Sequence, residues 1–328
     1  MDKVLRVGLV GAGGMGWCHF TNYEQVKNAK VVAICDVRPT MVAEKLEGRT
    51  DVKIYDKLEK MLKNEQLDMI DICTPSFLHK EMAIRLLKAG YHVICEKPMT
   101  LNYADAKKVL AAANETNKKF MVAHVVRFMA PYMYLKKVYD SGELGKLLRL
   151  DMKRISSIPT WSWEDWMRDE KRSGGVATDL SIHDLDFVQS MLGMPEKVTS
   201  FATGIKNNND YILSTLTYKD VVVTCEGTWY NCGIPFKAQF LAVFQNGYVE
   251  LSDKLYKNGK EVVLEQPKED AKEVDLGINV GNDNGYLAEI QYFVDCVLND
   301  REIKFVTAES SAKSIELVDL VKKKATKV

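Results

Sequence analysis

The 328-residue sequence has no surplus of charge of either sign: Lys and Arg total 45, and Asp and Glu total 45. A balanced chain has no electrostatic attraction to nucleic acid or to an anionic membrane surface. No apolar run approaches the roughly eighteen residues that a membrane-spanning helix needs. The seven cysteines (Cys18, Cys35, Cys73, Cys95, Cys225, Cys232, Cys296) include no C-x-x-C pair. An odd count at scattered spacing argues against a disulfide framework and for reduced thiols in a cytoplasm. The opening MDKVLRVGLVGAGG enters an apolar run at once, without the pattern of a cleavable leader. There is no internal repeat and no low-complexity segment. Histidine is sparse, with five in all. His19, His79, His92 and His124 fall in the first half, so His183 has no neighbouring imidazole with which to build a zinc site, and no metal is expected.

What is present is material for a core. Hydrophobic residues make up 46% and charged residues 27% of the chain, the composition of a globular protein. Through residue 124 the pattern alternates apolar runs with helical periodicity. The runs are 4–11, 31–36, a weak one at 52–55, 67–75, 91–98 and 119–126. Helices are expected to about residue 28 and over 39–47, 76–89 and 102–117. Continuous apolar strands alternating with helices predict a parallel sheet covered on both faces. Beyond about 145 the pattern becomes strand after strand: LLRLDMKRIS, KVTSFATGI, YILSTLTY, VVVTCEGTWY, KAQFLAVFQ and GYVELS. Turn signals separate them at NNND (207–210), at YKD (218–220), and at the pairs Asn246–Gly247 and Asn258–Gly259, which favour two-residue hairpins. The fold class is therefore α/β: a doubly wound parallel sheet over 1–124, then an α+β domain over 125–328 with a large, open, mostly antiparallel sheet. Helical periodicity returns from Tyr286 and from about Ala308, and these last helices are expected to pack back on the first domain. The terminal KKKATKV reads as a solvated helix end.

Two stretches carry chemistry. In Gly11-Ala12-Gly13-Gly14-Met15-Gly16 the pattern G-x-G-x-x-G directly follows a strand and opens a helix, and Asp36 closes the next strand. That context makes it a dinucleotide fingerprint. Gly11 allows a tight turn, Gly13 admits a pyrophosphate close to the backbone, and Gly16 lets helix and strand approach. The helix start offers unpaired N–H groups to phosphate. Asp36 can bind both ribose hydroxyls and repels a 2′-phosphate, which favours NAD; Arg38 beside it keeps NADP open. Thr74, Pro75, Glu96 and Lys97, on the carboxyl-end rim of the same sheet and with His79 close by in sequence, are candidate cofactor contacts, and a lysine there reads equally well as surface charge.

The second stretch is SGGVATDLSIHDLD (173–186). After the break at Gly174–Gly175 a single helix is expected to run to Leu192. On it Asp179 and His183, four apart, would share a face. A carboxylate beside an imidazole raises its basicity, and the imidazole takes a proton near neutral pH. Asp186, three residues on, is also within reach of His183. A plain reading, acidic residues placed for a helix dipole, stands beside this one. Upstream, W-S-W-E-D-W (161–166) offers indoles that suit either a ring-stacking wall or a core, and Arg168 follows.

Together, VGLVGAGGMG, Asp36, CTPSFLH, ICEKPMT, VAHVVRF, SGGVATDLSIHDLD and CEGTWYNCGIPF resemble the Gfo/Idh/MocA oxidoreductases across nearly the whole chain. The resemblance implies a Rossmann domain followed by an open-sheet domain that forms subunit interfaces, here as a homodimer or homotetramer. It implies NAD(P)-dependent oxidation or reduction of a sugar or cyclitol carbinol. It gives Lys97 the role of active-site lysine, Asp179 that of orienting carboxylate, and His183 that of proton acceptor and substrate contact. Arg127, Trp163, Trp166 and Arg168 become substrate-binding candidates. His124, Val125 and Val126 depart from inositol dehydrogenases, which leaves the individual sugar open. Two other functions are compatible with the same residues: an NAD-dependent glycosidase using transient oxidation, and a non-catalytic NAD(P)-binding regulator.

Overall fold

The structure, a computed structural model, describes residues 3–204, 206, 209–264 and 284–328. The chain divides into two compact units, residues 1–125 with 286–312 and residues 126–285 with 313–328.

The first unit begins with β1 (Leu5–Val10), α1 (Gly14–Tyr23), β2 (Ala29–Cys35), α2 (Pro39–Lys45), β3 (Lys53–Tyr55) and α3 (Leu58–Asn64). It continues with β4 (Met69–Ile72), α4 (His79–Lys88), β5 (His92–Glu96), α5 (Tyr103–Asn114) and β6 (Phe120–Ala123). The strands pair in parallel in the order β3-β2-β1-β4-β5-β6. β4 is buried at every position, and β1 and β5 at all but one. That is why these strands read as continuous apolar runs rather than alternating ones. Strand order reverses between β1 and β4, the place where open α/β sheets leave a crevice at their carboxyl ends. The sixth run is shorter than its sequence suggests: β6 stops at Ala123, and residues 125–128 form a 3-10 turn.

The second unit holds α6 (Ala130–Ser141), β7 (Leu147–Ser157), α7 (Glu170–Ser173), α8 (Gly175–Asp179), α9 (Ile182–Leu192) and β8 (Lys197–Thr203). Then come β9 (Asp210–Thr217), β10 (Val222–Tyr230), β11 (Lys237–Phe244), β12 (Gly247–Leu251), β13 (Leu255–Lys257) and β14 (Lys260–Glu261). After them the chain forms α10 (Gly285–Leu298), α11 (Ala308–Lys323) and β15 (Ala325–Lys327). Nine strands order as β14-β13-β12-β11-β7-β10-β9-β8-β15, antiparallel except for β7 with β10 and β8 with β15. Burial alternates along β9, and Leu150, Met152, Val223, Cys225, Phe240 and Ala242 form the covered face.

Of three local expectations, one holds and two change. Asn258–Gly259 turns the β13–β14 hairpin with φ of 52° and 75°, as a two-residue Asn-Gly loop requires. Asn246–Gly247 does not: the turn is Gln245–Asn246, and Gly247 already pairs with Phe244. The terminal lysine segment is not a solvated helix end, because β15 pairs with β8 and the Lys322 ammonium donates to the Gly174 carbonyl at 3.0 Å. Ile205 and the expected turn residues Asn207 and Asn208 lie outside the described residues.

Candidate active site

The glycine loop is built by close approach. Gly11 has φ of +90°, and a Cβ there would stand 2.5 Å from the Cys73 carbonyl oxygen. A Cβ on Gly16 would stand 1.9 Å from the Gly11 oxygen, so only glycine lets α1 start this tightly against the loop. A Cβ on Gly13, by contrast, meets nothing within 4 Å: the loop is open there. No side chain caps the start of α1, and no acidic residue occupies its first turn. Open space beside uncapped amides suits a pyrophosphate. Gly14 and Met15 supply the first helical residues. Asp36 is buried at the end of β2; its Oδ2 accepts from Ala12 N at 2.8 Å and its Oδ1 from Arg38 N at 2.8 Å. It thus braces the glycine loop while keeping lone pairs for a ribose. Arg38 Nε turns back to the same carboxylate at 3.3 Å. These residues fit NAD.

At the ends of β4 and β5, the sites expected to contact the cofactor divide into two kinds. Thr74, Pro75 and Lys97 are half-buried along the rim. His79 and Glu96 are buried, and their polar atoms are engaged by the protein. His79 faces the Pro98 carbonyl with Nδ1 at 2.7 Å and the Thr74 carbonyl with Nε2 at 2.8 Å. The expected cofactor contact is instead a clasp between two rim loops. Both acceptors are carbonyls, so each contact needs a ring N–H; burial opposes the second proton and pushes His79 below the usual histidine range. Glu96 Oε2 accepts from Lys97 N at 2.9 Å, and its Oε1 lies 3.1 Å from His19 Nε2. Burial pushes the Glu96 carboxyl up, but the bond to His19 and the charges of His19, Lys97 and His79 together outweigh it and hold the group below the ordinary glutamate range.

In the second unit Gly174 and Gly175 have φ of +81° and +74°. A Cβ on Gly174 would stand 2.5 Å from the Thr178 side chain, and one on Gly175 would stand 2.9 Å from Asp210 Oδ2. Asp210 Oδ2 also accepts from Val176 N at 2.7 Å, fastening the start of α8. The expected single helix is two. The Val176 carbonyl accepts both Leu180 N at 3.0 Å and Ser181 N at 2.8 Å. The second bond spans five residues and widens the helix by one position, a feature common at functional sites. Asp179 closes α8 and is buried; His183 lies half-buried in the first turn of α9. Their four-residue spacing therefore spans the joint between two helices rather than one regular turn.

Asp186 is fully buried, and its carboxylate takes Arg127 Nε at 2.8 Å, Arg127 Nη2 at 2.6 Å and the Ser314 hydroxyl at 2.7 Å. This corrects the reading of Arg127 as a substrate contact: only 4% exposed, its guanidinium forks onto Asp186 as a structural pair. Asp184 pairs in the same way with Arg154 of β7, which also donates to the Tyr132 hydroxyl at 3.0 Å. Two buried ion pairs thus anchor α9 around His183. Trp163 and Trp166 are half-buried in a 3-10 stretch (Trp163–Arg168), outside the core that holds Trp229. Glu164 and Asp165, at φ of 48° and 55°, kink that stretch. Arg168 pairs with Asp165 at 2.9 Å, and Arg172 lies over the Trp163 ring at 6.0 Å.

Sequence reasoning missed Arg154, Asp210 and a buried group in the first unit: His19, Asp71 and Glu289. The signal was available in part. Asp71 interrupts the apolar LDMIDICTP, and Glu289 interrupts the apolar YLAEIQYFVDCV. A charge inside a fully apolar run is informative because burying it requires a partner.

With this geometry in place, comparison with known proteins is direct. The family described as "Oxidoreductase family, NAD-binding Rossmann fold" matches residues 5–124, and the GFO/IDH/MocA C-terminal domain matches residues 132–247. Inositol 2-dehydrogenase of Rhizobium meliloti (strain 1021) is 31% identical over 234 residues, which cover 67% of this chain and 68% of that protein. The 2,7-anhydro-N-acetylneuraminate hydratase of Escherichia coli (strain K12) is 29% identical over 225 residues, 66% of this chain but 59% of the relative. In fold, the crystal structure of myo-inositol 2-dehydrogenase from Lactobacillus plantarum superposes with a TM-score of 0.82 over 98% of this chain and 97% of that one, at 21% identity. No helix among the described residues is long and apolar enough to cross a membrane. The glycine loop, the parallel sheet that carries it and the two family matches lead to one statement: the chain belongs to the Gfo/Idh/MocA oxidoreductase family and carries its NAD-binding Rossmann fold.

Proposed function

We propose that this protein moves a hydride between NAD and a ring carbinol of a cyclitol or sugar. The observation that carries the reading is the rim of the first unit. There the open glycine loop and the pinned Lys97 stand at carboxyl ends of one sheet, where ligands of such sheets bind. Bound NAD supplies the hydride acceptor. The protein's share is proton handling and placement. The hydroxyl proton leaves to the imidazole of His183, Asp179 offsets the resulting positive charge, and Lys97 hydrogen-bonds the substrate oxygen as the carbonyl forms. The balance is one hydride to NAD and one proton to the base per carbinol oxidised. Trp163 and Trp166 supply apolar walls for the ring. Relatives named as inositol 2-dehydrogenases support a cyclitol as the first substrate to try.

A second reading rests on a specific observation. A relative of nearly equal similarity is named as a hydratase, a net addition of water without net redox change. On that reading the hydride returns to the substrate within one turnover. The test is to mix the protein with NAD or NADP and a panel of cyclitols, aldoses and glucosides, and to follow reduced nicotinamide by absorbance and products by chromatography. Net reduction of NAD supports the dehydrogenase. Product without net reduction supports the redox-neutral reading. Binding of NADH with neither outcome across the panel sinks both and leaves a non-catalytic NAD binder.

The outer face of the large sheet presents Leu241, Val243 and Tyr248, half-exposed on β11 and β12. An uncovered apolar strip on a sheet supports a homodimer or homotetramer. All seven cysteines are free thiols, which suits a reducing cytoplasm.

A further inference from the structure

The buried group beneath the rim of the first unit ties four elements together. His19, on α1, is fully buried. Its Nδ1 lies 2.9 Å from Asp71 Oδ2 on β4, and its Nε2 lies 3.1 Å from Glu96 Oε1 on β5. Carboxylates accept only, so a ring bonded to one at each nitrogen donates twice and carries a positive charge. Burial alone would push His19 down; the Asp71 carboxylate and the Cys73 thiol beside it outweigh that and hold it well above the usual histidine range. The Cys73 thiol adds a bond to Asp71 Oδ1 at 3.3 Å. From α10, Glu289 is fully buried with no hydrogen-bond partner for either oxygen among the described residues, and it feels the charges of His19, Glu96 and Asp71. His19, Asp71 and Cys73 bring ligand-type atoms within 4.8 Å of one another, but both imidazole nitrogens already face carboxylates, so the geometry favours a bonded cation over a metal ion.

We propose that His19 is a positioning residue for Lys97: bonded at both nitrogens, it fixes Glu96 against β4, and Glu96 in turn fixes the backbone of Lys97. Glu96 connects the two directly, with one oxygen on His19 and the other accepting the Lys97 amide. α1 is also the helix whose first turn faces the pyrophosphate position, so one histidine sets the lysine's place relative to the cofactor's phosphates. The inference rests on the role given to Lys97 above.

Four measurements test it on the intact chain. Nitrogen-15 NMR of the wild-type imidazoles at pH 8 should show His19 with both nitrogens protonated. In His19→Gln, hydrogen exchange over residues 94–100 should speed up about tenfold at the Lys97 amide. NADH affinity, read by fluorescence titration, should change by less than about threefold, while kcat on the best polyol of the panel falls roughly tenfold to hundredfold. A lower melting temperature with unchanged exchange at Lys97 and unchanged kcat would reduce His19 to a packing residue and overturn the proposal. Stoichiometric zinc in the purified wild type, lost in His19→Gln, would overturn it in favour of a metal site. If His19→Gln does not fold, Glu96→Gln is the second variant: it keeps an acceptor for the Lys97 amide, weakens the His19 link, and should show the same exchange and kcat changes. Lys97→Met separates this failure from that of the catalytic reading. Full turnover in Lys97→Met removes Lys97 from the chemistry, while the exchange result still decides whether His19 holds its backbone.

Discussion

His183 and Arg127 show how differently two residues from neighbouring motifs are used. His183 stands half-buried at the start of α9. His183→Asn should lower kcat by ~10²–10⁴-fold, the range for losing a general base, and leave NADH affinity within about twofold by fluorescence titration; turnover near wild type would remove the residue from its role. Arg127→Met should instead act on stability. It strands the Asp186 carboxylate in the interior, and urea unfolding should show a loss of about 3–5 kcal/mol. Glu289→Gln should act in the opposite direction with a clear pH signature. Burial holds the Glu289 carboxyl well above the ordinary value of 4.5, with His19 offsetting only part of that. The wild type's advantage is therefore complete below about pH 4.5 and is lost as pH rises toward the folded value. The melting temperature of Glu289→Gln relative to wild type should rise steadily from pH 4.5 to pH 8, and a flat difference would contradict the assignment. At this scale the legibility of the sequence followed distance along the chain. Gly11 to Gly16 and Asp36 were readable because a turn, a helix start and a strand end are local events. The Arg127–Asp186 pair spans 59 positions and the His19–Glu96 pair spans 77, and no spacing rule reaches that far.

Among the elements, the joint between α8 and α9 is the most informative. VATDLSIHDLDFVQSMLG has the apolar period of one helix, and nothing in that period announces that Ser181 N will bond the Val176 carbonyl five residues back. The cause lies outside the segment. Asp210, on β9, holds Val176 N, and Gly175 packs on the same carboxylate, so the helix start is pinned from a strand. Burial lifts the Asp210 carboxyl to about 6 from an ordinary 3.8, with the Val176 amide opposing. Its stability contribution is thus greatest below about pH 3.8 and is lost as pH rises through about 6. Asp210→Asn keeps an oxygen for Val176 N, and its melting temperature should gain on the wild type between pH 4 and pH 6 and then level off. A gain that is the same at every pH would show that the carboxyl does not titrate in this range. The two Asn-Gly pairs make the same point about context. Asn258–Gly259 turns its hairpin as written, whereas the register of β11 against β12 moves the other turn one residue upstream.

For the whole molecule, the sequence gives a clear account of class and a partial account of assembly. Alternation of strand and helix in one half and of strand and turn in the other suffices for two sheets of opposite kind. It does not reveal that β15 joins the edge beside β8, because three residues of a lysine-rich tail carry no strand period. The outer face of the large sheet makes a testable demand. Leu241→Glu with Val243→Lys should shift the proposed homo-oligomer to monomer in sedimentation velocity while leaving NADH binding intact; a wild type that is already monomeric, or an assembly the variant leaves unchanged, would count against this face as an interface. The division of the chain also has a consequence for how the protein is made. The first unit includes residues 286–312, whose Ile290, Phe293 and Val294 are fully buried. On the ribosome, residues 126–285 must be made first. At ~5–20 residues per second the nucleotide-binding sheet waits on the order of ten to thirty seconds for its last helix. Throughout that interval the surface that will receive Phe293 lacks its cover, so the nascent chain exposes apolar area that the finished protein buries.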